Sequence, residues 1–169
     1  MRDRIIRASI ESLRREGLKF SVDTLAEKLK VSKKTIYKYF PDKEALALAL
    51  YETYYADAKK QAAQAAARGG ESAVAELLSV YFDAKEMTQS DVFNKFKLNG
   101  SVLSYTSVQN DALWETIAAS FAGDVSAEDA NTLRVIVDGA FEKLCRERMD
   151  PDAVIERLAK WISWSDCFA

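Results

Sequence analysis

The chain has 169 residues, 49% of them apolar, enough to fill the cores of one or two small domains. It has no histidine, only two cysteines (Cys145 and Cys167, with no CxxC spacing) and no apolar run long enough to span a membrane. These features argue against a zinc or other metal site, histidine-based acid–base catalysis and a membrane protein. The formal charge of −2 hides an asymmetry: residues 1–50 carry 12 Lys and Arg against 7 Asp and Glu, whereas residues 51–169 carry 12 against 19. A basic end on an acidic body suits a chain that meets a polyanion at one end.

Arg2, Asp3 and Arg4 lead into an amphipathic segment rather than a signal peptide, so the expected location is the cytoplasm. Residues 3–16 are predicted as the first helix, with Ile6, Ile10 and Leu13 as its inner stripe, Ile5 and Ser9 beside it, and Gly17 ending it. Arg2 and Arg4 could reach a phosphate from its start or simply be solvated.

Residues 21–43, SVDTLAEKLKVSKKTIYKYFPDK, hold two short helices and the start of a third. Val22, Leu25, Ala26 and Leu29 follow the i, i+3, i+4, i+7 pattern behind an N-cap at Ser21. Lys30 and Val31 make a turn. Ser32 caps the next helix, with Val31 and Ile36 spaced as a hydrophobic staple. Pro41 stops that helix, and Asp42 caps the following one. Two short helices joined by a tight turn form a helix-turn-helix, whose second helix can enter a DNA major groove. Lys33, Lys34, Tyr37 and Lys38 lie on the outward side of that second helix, which contains no acid to pair with them. Cations at a helix start oppose its dipole, and a nearby polyanion reverses that balance. Lys43 opens the next helix, where free backbone N–H groups also suit a phosphate.

Gly17 with Ala26, followed by VSKKTIYKYFPDKEAL, resembles the tetracycline-repressor (TetR/AcrR) family of bacterial transcription factors. The match is carried by Ile5, Ile6, Ala8, Leu13, Gly17, Leu25, Ala26, Val31, Ser32, Thr35, Tyr37, Phe40, Lys43, Glu44 and Leu46, roughly the first quarter to third of the chain. Lys30 stands where the family usually has Gly, and Ser12 where it usually has Leu. The resemblance implies a helix-turn-helix DNA-binding domain over residues 1–46 and a helical ligand-binding and dimerisation domain over residues 47–169. The DNA-binding set is Ser21, Ser32, Lys33, Lys34, Thr35, Tyr37, Lys38, Tyr39 and Lys43. Lys33, Lys34 and Thr35 stand at the front of the recognition helix and are expected to read base edges. Tyr37, Tyr39 and Lys43, with Ser21, are implied by resemblance to hold phosphates. Asp23 stands where some members place a base-reading side chain, so the preceding helix is left out of base readout.

A long helix is predicted from Lys43 to about Ala67, roughly 37 Å at 1.5 Å per residue. Leu46, Leu50, Thr53, Tyr54 and Asp57 trace one side, and the rest is alanine-rich. Arg68-Gly69-Gly70 ends it. Further helices are expected over residues 72–87, about 91–98 behind Ser90, about 111–121, about 127–148 behind a Ser126/Asp129 pair like a capping box, and 151–165 with Pro151 at the first position. The order between Asn99 and Asn110 is left open. No strand or repeat is expected, and the fold class is all-α.

No phosphate loop, dinucleotide fingerprint or nucleophile elbow occurs, so an enzyme is not expected and no cofactor is implied. The aromatics Tyr81, Phe82, Phe93, Phe96, Tyr105, Trp114, Phe121 and Phe141 have two readings: a packed core, or walls of an apolar ligand pocket of the kind the resemblance implies. The last two helices could close a monomer's core or, as in that family, pair with a second copy. Leu133, Gly139, Ala140, Leu144, Leu158, Trp161 and Ile162 are the candidates for such a seam. The cysteines are read as reduced thiols or as a redox pair.

The leading expectation is a homodimeric repressor bound to a palindromic double-stranded operator and released by a small, mainly apolar ligand. A protein-interaction module and a small-molecule carrier are the alternatives, and neither needs a basic helix face.

Overall fold

The computed structural model describes residues 1–16, 21–88, 100–120 and 126–164. These form eight α-helices and no strand: α1 (Arg2–Glu16), α2 (Val22–Leu29), α3 (Lys33–Tyr39), α4 (Lys43–Arg68), α5 (Glu71–Met87), α6 (Gly100–Ala118), α7 (Ala127–Glu147) and α8 (Pro151–Trp164). The all-α class is as expected. The short helix expected over 91–98 lies outside the described residues, as do Gly17, Phe93, Phe96, Phe121 and Cys167.

The chain divides into two compact units. The first comprises residues 1–57 and 84–109, the second residues 58–83 and 110–169. Position 46–47, the expected boundary, lies inside the unbroken α4.

In the first unit, α1, α2 and α3 close around Ile5, Ile6, Leu13, Leu25, Leu29, Ile36 and Phe40, all buried. The α1 stripe is rotated from the expected one. Ser9 and Ser12 are buried, whereas Ile10 is half-exposed. Both hydroxyls are satisfied: Ser9 donates to the Ile5 carbonyl at 2.8 Å, and Ser12 accepts from Lys28 Nζ at 3.3 Å. A buried hydroxyl with a partner carries little penalty, so a polar residue can occupy a position that hydrophobicity alone would not choose.

Helix ends follow their local chemistry. Ser21 and Thr24 make a reciprocal capping box, each side-chain oxygen accepting the other's backbone N–H at 3.1 Å. Phe40 is extended (φ −134°, ψ 105°), as a residue before proline must tend to be. Asp42 then caps α4 by accepting from the Ala45 N–H at 2.7 Å. Lys30 closes α2 in the left-handed region at φ 54°, which accounts for glycine being usual there.

The start of α4 buries more aromatic surface than its sequence stripe indicated. Tyr51, Tyr54 and Tyr55 are all buried, whereas Thr53 is half-exposed and Asp57 exposed. The Tyr51 hydroxyl donates to the Met87 carbonyl at 2.8 Å, and the Tyr55 hydroxyl points to the Thr106 carbonyl at 3.4 Å. α6 begins at Gly100, so part of the stretch left open between 99 and 110 is helical. Val102 and Thr106 are buried one turn apart, and a tertiary stripe of this kind outweighs the weak helix propensity of the Ser and Thr residues around it.

The second unit packs Leu77, Leu78, Tyr81, Phe82, Leu113, Trp114, Ile117, Leu133, Val137, Phe141, Leu144, Ile155 and Leu158 as its core. Gly69 and Gly70 turn the chain between α4 and α5 with φ of 67° and 81°, where a side chain would be strained. The Ser126 hydroxyl accepts from the Asp129 N–H at 3.1 Å, making the expected cap of α7.

Candidate nucleic-acid interface

The candidate interface is built on the turn between α2 and α3. Ser32 has extended backbone (φ −78°, ψ 153°), and its hydroxyl accepts from the Thr35 N–H at 3.1 Å. The Ser32 and Thr35 hydroxyls also share a 3.0 Å hydrogen bond, so both side chains hold the start of α3. Ile36 is fully buried and Phe40 nearly so, which fixes the roll of α3 about its axis. The opposite side is thereby forced outward. Lys33, Lys34, Tyr37, Lys38 and Tyr39 are exposed, and Lys43 is exposed at the start of α4.

Charge on this face is not uniform. The absence of an acid in α3 suggested that its lysines stand unpaired, but Lys33 forms an ion pair with Asp23 in the first turn of α2. The two residues open the two helices of one turn, so opposite signs there were the available cue. Lys34, Lys38 and Lys43 make no ion pair among the described residues. Arg2, considered as a phosphate contact, has its guanidinium 5.4 Å from the centre of the Phe40 ring. Ser21, half-exposed, is engaged in its capping box.

The remaining expected site residues are spread over both units. Tyr81 packs on Trp114 with ring centres 5.4 Å apart, and Phe82 on Phe141 at 5.4 Å, all four buried in the second unit. Tyr105 is half-buried in the first unit, 6.3 Å from Tyr55. Of the seam candidates, Leu133, Leu144, Leu158 and Ile162 are buried within the chain itself, and Ala140 is half-exposed. Gly139 is exposed, and Trp161 is 73% exposed. Val135 (72% exposed) and Ile136, which are not among the seam candidates, are exposed one turn from Gly139.

Among the described residues no helix is long and apolar enough to cross a membrane. No curated protein matches the chain. Residues 5–50, the segment containing the turn and its exposed lysines, match the family model described as bacterial regulatory proteins, tetR family. That match makes residues 5–50 similar to the DNA-binding domain of tetR-family proteins and supports a DNA-binding transcriptional regulator.

Proposed function

We propose that the chain is a homodimeric repressor that holds a palindromic operator through α3 and releases it when a small apolar ligand binds. The observation that carries the DNA-reading part is the exposed Lys34 and Lys38, interleaved with exposed Tyr37 and Tyr39 on a helix whose roll is fixed by Ile36, with exposed Lys43 at the start of α4. Phosphate contacts from such residues position the helix, and side chains at its front read base edges. Lys34 and Thr35 are assigned to base edges, and Tyr37, Tyr39 and Lys43 to phosphates.

Dimerisation is supported by α7 and α8. Gly139 sits inside α7, where glycine costs about 1 kcal/mol relative to alanine. A methyl group there would meet nothing within 4 Å, so packing inside the chain does not require the glycine. Val135, Ile136 and Trp161 are exposed apolar residues on the same two helices. A second copy packed against these exposed residues gives all four a role and supplies the second head for a palindrome.

The ligand is assigned to the aromatic set of the second unit, Tyr81, Phe82, Trp114 and Phe141, with Tyr81 and Asp138 as its polar element. Release follows if the ligand binds the form that does not hold DNA more tightly, by about 1.4 kcal/mol for each tenfold loss of operator affinity.

Enrichment of duplexes from a random pool tests this reading. An inverted repeat with half-sites about 34–36 Å apart is expected. Enrichment of a lone half-site, bound by one copy, would contradict the dimer. Apolar compounds that stabilise the protein in a thermal-shift screen should then dissociate the enriched duplex.

A further inference from the structure

We propose that Asp23 is a specificity-determining residue of the interface, holding the Lys33 ammonium so that it serves base discrimination rather than sequence-independent attraction. The inference rests on the reading that α3 contacts DNA. Lys33 is the first residue of α3, and Asp23 lies in the first turn of α2. Their ion pair spans the turn on the outer face, with 56% and 60% of the two side chains exposed.

Two local fields favour the pair. The start of α2 stabilises a carboxylate, whereas the start of α3 opposes a lysine ammonium. Lys33 is therefore the lysine of α3 with most to gain from a nearby acid. Lys34 and Lys38 make no ion pair among the described residues.

Attraction to any DNA is set by how many phosphates the cations neutralise, and each one contributes to the salt dependence. A lysine held by a carboxylate is close to neutral at a distance and adds little to that sum. The carboxylate also repels a phosphate brought to the same spot. A base edge is different. Guanine O6 and N7 accept from an ammonium, and the cytosine amino group donates to a carboxylate. Asp23 and Lys33 present an acceptor and a donor side by side, which fits a base edge and rejects a backbone.

The test is a double-mutant cycle with Asp23→Asn and Lys33→Gln. Binding is measured by fluorescence anisotropy over a potassium chloride series. The probes are a random-sequence duplex and a duplex enriched by the wild-type protein. Asp23→Asn is expected to tighten the random duplex about two- to fivefold, the range of an exposed ion pair. It should also steepen the salt slope by about 0.9 per head. The enriched duplex should gain less, so the ratio of the two affinities falls. In the Lys33→Gln background, Asp23→Asn should add no slope. An equal slope increment with and without Lys33, or an unchanged affinity ratio, overturns the proposal while leaving DNA binding by α3 intact. A wild-type protein that enriches no duplex and does not bind the random one overturns both. Both side chains are mostly exposed, and matching thermal melts verify that each variant is folded.

Discussion

The hydroxyl of Tyr81, a residue only 1% exposed, donates to Asp138 Oδ1 at 2.9 Å, joining α5 to α7. Arg134 extends the link, with Nη2 at 2.6 Å from Asp111 Oδ1 on α6 and Nε at 3.8 Å from Asp138 Oδ2. Three helices of the second unit are thus tied by one chain of polar groups. Tyr81→Phe removes the hydroxyl and keeps the ring packing on Trp114. The expected loss is about 1–2 kcal/mol, that of a hydrogen bond to a charged but partly exposed acceptor. Urea unfolding with an unchanged slope checks it.

Alkaline pH should unfold the protein steeply. Burial pushes the phenols of Tyr51, Tyr55 and Tyr81 well above their ordinary 10.0. Below pH 10 both the folded and unfolded phenols are protonated, so these residues give no pH dependence. Above pH 10 the unfolded phenols ionise and the folded ones do not, so stability falls as pH rises. Each tyrosine contributes about 1.4 kcal/mol per pH unit in that window. Tyr51→Phe should flatten the decline by about that amount between pH 10 and 11, measured by urea unfolding at each pH.

Lys30 and Arg148 both end helices in the left-handed region, at φ 54° and 51°. A side chain there costs about 1–2 kcal/mol, partly offset in a glycine variant by the greater freedom of its unfolded chain. Lys30→Gly is therefore expected to stabilise the fold by about 0.5–1 kcal/mol. A lower melting temperature for this variant would contradict the assignment of strain to that turn.

The helix-turn-helix was legible because its information is local. Ser21, Ser32, Asp42 and Pro41 are punctuation read within a few residues, and the structure uses each as expected. Burial that depends on distant partners was not legible. Ser12 is buried because its hydroxyl is satisfied by Lys28, as that of Ser9 is by a carbonyl, and periodicity can see neither partner. Tyr51 and Tyr55 reach Met87 and Thr106, 36 and 51 residues away. The Asp23–Lys33 pair is not legible for a related reason: α3 contains no acid of its own, and the partner comes from α2.

The seam of the proposed dimer is tested by charge. Trp161→Asp and Val135→Asp put a carboxylate where an apolar contact is proposed, and both positions are more than 70% exposed in the single chain. The fold should survive, and sedimentation should shift to the mass of one chain. Retention of the dimer by both variants would place the interface elsewhere.

DNA binding through α3 is tested most directly by the salt dependence of affinity for one enriched duplex. Lys43→Ala should lower the slope of log K against log salt by about 0.9 per head and weaken all sequences alike. Lys34→Ala should instead change which base is preferred at one position of the site, at about 1–3 kcal/mol. An affinity and a slope unchanged in the double Lys34→Ala, Lys43→Ala variant would contradict the account.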